Sequence, residues 1–175
     1  MQQSKLSAGD KVPDCFNVMI EISMNESQVK YEFDKELGVL RVDRFFKAPM
    51  YYPFNYGYIP GTCGGDGDPL DVMLVAPYPI VPCALIECRP IGVLLMDDES
   101  GRDEKIIAVP HQKIYSAFAE VKSLEDLHLD VKEKIEYFFS YYKAMDKGKW
   151  VKIERWGSVE EAKSLIKNCI TPISG

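Results

Sequence analysis

Residues 66–72 read Asp-Gly-Asp-Pro-Leu-Asp-Val, three carboxylates within six positions on a stretch that Gly67 and Pro69 keep out of a helix. Three like charges at i, i+2 and i+5 repel one another unless positive charge lies between them. Oxygen donors on such a stiffened turn suit Mg²⁺, Mn²⁺ or Ca²⁺ better than zinc, which takes His and Cys. The same residue types also build ordinary polar turns, so the run by itself leaves an unliganded turn open. It is not an EF-hand. With Asp66 in the first position, Asp71 stands where that loop requires Gly and Pro77 where it requires a bidentate Glu. Nor is Gly61-Thr62-Cys63-Gly64-Gly65 a Walker loop, since no Lys-Ser or Lys-Thr pair follows it.

A second acidic stretch, Asp97-Asp98-Glu99-Ser100-Gly101-Arg102-Asp103-Glu104-Lys105, lies between the apolar runs Ile91–Met96 and Ile106–Val109 and reads as the turn of a β-hairpin. A solvated hairpin tip accounts for one such cluster. Two clusters that converge would hold more than one cation, and two metals roughly 3.5–4 Å apart suit phosphoryl chemistry because they stabilise both the attacking and the leaving oxygen. Phosphate donors are present upstream. Val29-Lys30-Tyr31-Glu32-Phe33 alternates as a strand, Glu21 sits in the strand Val18–Ile22, Arg44 ends Val42-Asp43-Arg44-Phe45, and an aromatic stretch follows from Tyr51 to Tyr58. Arg offers phosphate a planar fork and Lys a point charge. A solvated strand face for Lys30 and Glu32, and a core role for the tyrosines, remain open on this pattern.

Short strands punctuated by Gly and Pro dominate to about residue 110 and predict a closed or nearly closed barrel. Helices are expected late. From Val131, the residues Ile135, Phe138, Phe139, Tyr142 and Met145 recur at helical spacing, and Ser158 opens a capping box to Glu161 before Ala162, Leu165, Ile166 and Cys169. At 175 residues, 46% apolar and 27% charged, the chain is expected to form a single domain over residues 1–175. A net charge of −6 argues against a nucleic-acid partner. No apolar run approaches 18 residues, and Met1-Gln2-Gln3-Ser4-Lys5 lacks the apolar region of a signal peptide, so no membrane association is expected. The five cysteines contain no Cys-x-x-Cys and read as reduced thiols in a cytoplasmic protein, with Cys169 in the core.

The heptad 66–72 resembles the signature of the soluble, family I inorganic pyrophosphatases of bacterial type. The resemblance extends in order and spacing over about residues 10–160, through Val18–Ile22, Lys30-Tyr31-Glu32, Val42–Phe45, Tyr52–Tyr58, Asp98-Glu99, Asp103-Glu104-Lys105, Tyr141-Tyr142-Lys143 and Lys147-Gly148-Lys149-Trp150. It implies a mainly β (α+β) fold, a five-stranded OB-like closed barrel with flanking helices. It also implies hydrolysis of inorganic diphosphate to two orthophosphates by a metal-activated water, with several Mg²⁺ ions per site. Carried over, the roles make Asp66, Asp71, Asp98, Asp103, Glu21 and Glu32 metal ligands, and Lys30, Arg44, Tyr56, Tyr142 and Lys143 phosphate ligands. Asp68 becomes the base that orients and deprotonates the water. Bacterial-type members are typically homohexamers, and the helix carrying Tyr137 and Tyr141 is a candidate contact. A non-catalytic binding module on a similar barrel would lack the acidic clusters. Another metal-dependent phosphohydrolase, acting on nucleotides or phosphate esters, is the competing enzyme class.

Overall fold

Val72, Met73 and Leu74, like Ile106, Ile107 and Ala108, are buried without exception. Strands that read as unbroken apolar runs must be covered on both faces. The computed structural model, which describes residues 6–34 and 36–171, provides that cover. The chain forms β1 (Phe16–Ile22), β2 (Val29–Asp34), β3 (Val39–Phe45), β4 (Asn55–Tyr58), β5 (Asp71–Leu74), β6 (Leu85–Asp98), β7 (Gly101–Arg102), β8 (Lys105–Pro110), α1 (Leu129–Tyr141), β9 (Val151–Gly157) and α2 (Val159–Cys169). Strand β1 pairs with β4, β4 with β5, β5 with β8, β8 with β6, and β6 again with β1, so five strands close a ring. Only the β5–β8 pairing in that ring is parallel. The mainly β fold with late helices agrees with the expectation.

Alternation along the strands divides the core. Val72, Leu74, Ile106 and Ala108 pack with Ala162 and Ile166 of α2, while Met73, Ile107, Leu94 and Met96 pack with Ile135, Phe138 and Phe139 of α1. Where β4 crosses β1 the backbones approach so closely that a Cβ on Gly57 would lie 1.9 Å from the Met19 carbonyl oxygen. Only glycine fits there. Strands β2 and β3 form a separate two-stranded sheet, tied to the ring where the Phe33 amide donates to Glu21 Oε1 at 2.7 Å.

Three features depart from the sequence reading. Strand β9 was not expected; it pairs antiparallel with the far half of β6. Helix α1 ends at Tyr141, so Met145 lies beyond it and is exposed rather than part of its buried face. In α2 the capping box from Ser158 to Glu161 forms as expected, yet Leu165 and Cys169 are only half-buried and pack at the margin of the core.

Candidate active site

The acidic heptad is shaped before it reaches the sheet. Thr62 Oγ1 donates to the Ile59 carbonyl at 2.7 Å and accepts from the Leu70 amide at 3.0 Å, pinning both ends of the loop. Inside it, Gly67 has φ +90°, a conformation that side chains with a Cβ resist. That turn lets the Asp68 amide donate to Asp66 Oδ1 at 3.0 Å and leaves both aspartates exposed. The chain then enters β5 at Asp71.

Register carries the next contact. Asp71 lies opposite Lys105 in the parallel β5–β8 pair, and Lys105 Nζ sits 2.5 Å from both Asp71 Oδ2 and Asp103 Oδ1. Lys105 is 3% exposed. Burial opposes its charge, but the two carboxylates outweigh that cost and hold the ammonium well above the ordinary lysine range. Asp103 is pushed up by burial in spite of Lys105.

The hairpin tip supplies the opposite wall. Lys143 Nζ lies 2.6 Å from Asp98 Oδ2 and 3.6 Å from Glu99 Oε2, and Lys149 Nζ lies 2.5 Å from Glu99 Oε1. Burial works against the Glu99 charge, yet the Lys149 contact and Lys143 bring its carboxyl down to about 2. On the β2–β3 side, Lys30 stands opposite Arg44, pairs with Glu32, and lies 3.2 Å from Asp43. Arg44 Nη1 donates to Asp43 Oδ2 at 3.0 Å, while its Nε is buried with no hydrogen-bond partner among the described residues. Burial raises Glu21 to about 8, with the Phe33 amide opposing and Asp71 reinforcing the shift. Burial likewise lifts the phenols of Tyr56 and Tyr142 above the ordinary range, so both remain O–H donors at neutral pH.

All twelve residues singled out in the sequence line a single cleft of about 570 Å³. Lys105 lines it too, as do Glu99, Arg102, Lys149, Tyr52 and Tyr58, to which sequence reasoning gave no role. Lys105 carried a usable signal: it is the one charge at the head of the apolar run Lys105–Val109, and a lysine that is to be buried needs carboxylates beside it. Among the described residues, the cleft presents eight carboxylates against six lysine and arginine side chains, with no His or Cys in its lining. An all-oxygen donor set with surplus negative charge fits hard divalent cations.

The sequence profile of the inorganic pyrophosphatase family matches residues 18–174. The chain belongs to that family. It is 55% identical over 154 residues to the inorganic pyrophosphatase of Rickettsia prowazekii, covering 88% of this chain and 90% of the relative. It is 48% identical over 170 residues to inorganic pyrophosphatase 2 of Pseudomonas syringae pv. tomato, covering 97% and 94%. The solved structure of an inorganic pyrophosphatase from Coxiella burnetii superposes with a TM-score of 0.91 at 45% identity, covering 94% of this chain and 97% of that one. These relatives are thus similar to this chain over most of its length, and the solved structure shares its fold.

Proposed function

We propose that this pyrophosphatase-family chain hydrolyses inorganic diphosphate to two orthophosphates with Mg²⁺ as cofactor, acting in the cytoplasm as a single domain over residues 1–175 that assembles into a homohexamer. The observation that carries the reading is the convergence on one cleft of eight carboxylates with cationic and phenolic donors, in a chain similar throughout to inorganic pyrophosphatases. In this reading Asp66, Asp71, Asp98, Asp103, Glu21 and Glu32 hold the cations. Bound Mg²⁺ supplies charge neutralisation of the diphosphate and a more acidic water. Lys30, Lys143 and Arg44 bind phosphate oxygens, Arg44 bringing a buried Nε–H that has no partner among the described residues. Tyr56 and Tyr142 donate as neutral phenols. Asp68 takes the proton of the attacking water: it is exposed, and its carboxylate has no hydrogen bond or ion pair among the described residues. Lys105 keeps Asp71 and Asp103 facing the cleft.

Phosphate release is to be measured from diphosphate, a nucleoside triphosphate and a phosphate monoester, each with Mg²⁺ and with a chelator. Release from diphosphate alone, abolished by the chelator, is expected. Faster release from either organic substrate identifies a different phosphohydrolase, and full release under chelation removes the cation from the reaction.

A further inference from the structure

Three strands of the ring run from the cleft to a second group of ligating side chains. Strand β1 carries Glu21 near one end and is preceded by Cys15; β6 carries Asp98 at its end and Glu87 near its start; β8 begins at Lys105 and is followed by His111. Cys15 and Glu21, like Lys105 and His111, are six positions apart along extended chain, about 20 Å in each case. The second group therefore lies at the opposite end of the ring, and none of its members lines the cleft.

Backbone pairing brings the group together. Asn17 lies opposite Glu87 in the β1–β6 pair, and the His111 amide donates to the Glu87 carbonyl at 2.9 Å. One ligating atom from each of Cys15, Glu87 and His111 lies within 4.8 Å of the other two. Cys15 is buried and the other two are half-buried. The Cys15 thiol donates to Glu87 Oε1 at 2.9 Å. The second carboxylate oxygen, Oε2, pairs with Lys113, whose amide also donates to His111 Nδ1 at 3.2 Å.

From this geometry we propose that Cys15, Glu87 and His111 form a binding site for a zinc-class divalent cation, distinct in place and chemistry from the cleft. A thiolate, an imidazole and a carboxylate oxygen are the donors zinc prefers, whereas the oxygen-only cleft favours Mg²⁺. Donors about 2.0–2.3 Å from a tetrahedral ion stand roughly 3.5 Å apart, so the cluster needs to contract by little more than about 1 Å. On binding, the thiol releases its proton to solvent and Sγ and Oε1 exchange their hydrogen bond for bonds to the ion. Oε2 keeps Lys113 as the outer partner that orients the carboxylate. Thiolate and carboxylate balance the dication, and the fourth position is left to water. The ion clamps the segment before β1 to the ends of β6 and β8, so its effect is on the folded state rather than on turnover.

The test uses the full-length protein, reduced and stripped of metal, with excess Mg²⁺ present to occupy the cleft. Titration with Co²⁺ is expected to give a thiolate-to-cobalt charge-transfer absorption that saturates at one ion per chain and is displaced by Zn²⁺. Cys15→Ser removes the band. His111→Ala, at a half-buried position after the strand, weakens binding by at least about 100-fold, since loss of outer-shell partners alone costs 10–100-fold. Asp71→Asn leaves the band unchanged. Zinc raises the melting temperature of the wild type but not of His111→Ala. Absence of the band in the wild type overturns the proposal, as does a band of unchanged affinity in His111→Ala or in folded Cys15→Ser.

Discussion

Asp68 and Asp71 stand three residues apart and are held in opposite ways. Asp68 is exposed and its carboxylate is unbonded among the described residues, whereas Asp71 is half-buried and paired with Lys105 at 2.5 Å. Asp68→Asn should therefore keep the melting temperature and Mg²⁺ affinity of the wild type while lowering turnover about 10²–10⁴-fold, the usual cost of losing a general base. Raising the pH should recover part of that loss. Asp71→Asn should lower Mg²⁺ affinity and stability together. A Mg²⁺ titration beside a pH–rate profile for both variants decides the matter: equal loss of metal affinity makes Asp68 a ligand and overturns the base role proposed for it. Lys105 sharpens the contrast. Lys105→Met leaves Asp71 and Asp103 facing each other with no ammonium between them, and removing one partner of a buried charge group costs about 3–5 kcal/mol. Denaturant unfolding should show that loss in metal-free protein and partial recovery when Mg²⁺ returns positive charge; an unchanged midpoint would falsify the structural role of Lys105.

Among the elements, legibility followed local signals. The α2 cap could be read from Ser158 and Glu161 because both halves of a capping box lie within three residues, and the hairpin at 97–105 because apolar runs flank it. Strand β9 was missed although Val151 and Ile153 alternate with Lys152 and Glu154. Its partner lies more than fifty residues upstream, and the register shift opposite Leu95 and Met96, which leaves Glu154 unpaired, breaks the alternation that pairing would otherwise show. The twelve candidate residues became legible only through the ordered set of motifs, since spacing alone left ordinary strand or core positions open for Lys30, Glu32 and Tyr142. Tyr142 occupies both places, stacked on Phe138 in the core and lining the cleft. The cap makes its own prediction. Ser158→Ala should cost about 1 kcal/mol and lower the melting temperature by about 2–4 °C. Hydrogen bonds from Arg155 and the Ser158 amide bring Glu161 down to about 2. A carboxylate whose folded pKa lies below its unfolded value contributes stability above the unfolded pKa and loses it as pH falls through the folded one. The melting-temperature gap between wild type and Glu161→Gln should thus be constant above pH about 4.5 and close towards pH about 2; a gap that widens on acidification contradicts the assignment.

Among the described residues, helix α1 turns two aromatic rings to the surface. Tyr137 and Tyr141 of α1 are 64% and 51% exposed, with ring centroids 4.8 Å apart. Tyr137 also borders an apolar groove with Pro49, Met50, Tyr51 and Pro53. Paired aromatics beside such a groove are costly to leave in water and are the residue types that anchor contacts between subunits. A closed symmetric assembly would cover six copies of that face at once, whereas an open contact would continue indefinitely. Given the homohexamer proposed above, sedimentation velocity at micromolar concentration should show one species of about six times the 19.9 kDa chain mass. Tyr137→Glu combined with Tyr141→Glu should yield smaller species, because burying two carboxylates in an apolar contact is unfavourable, while the fold, whose core these side chains do not enter, persists. A wild type that sediments as a monomer refutes the assembly. A hexamer indifferent to the double substitution places its contacts elsewhere and leaves these tyrosines as solvent-facing residues of α1.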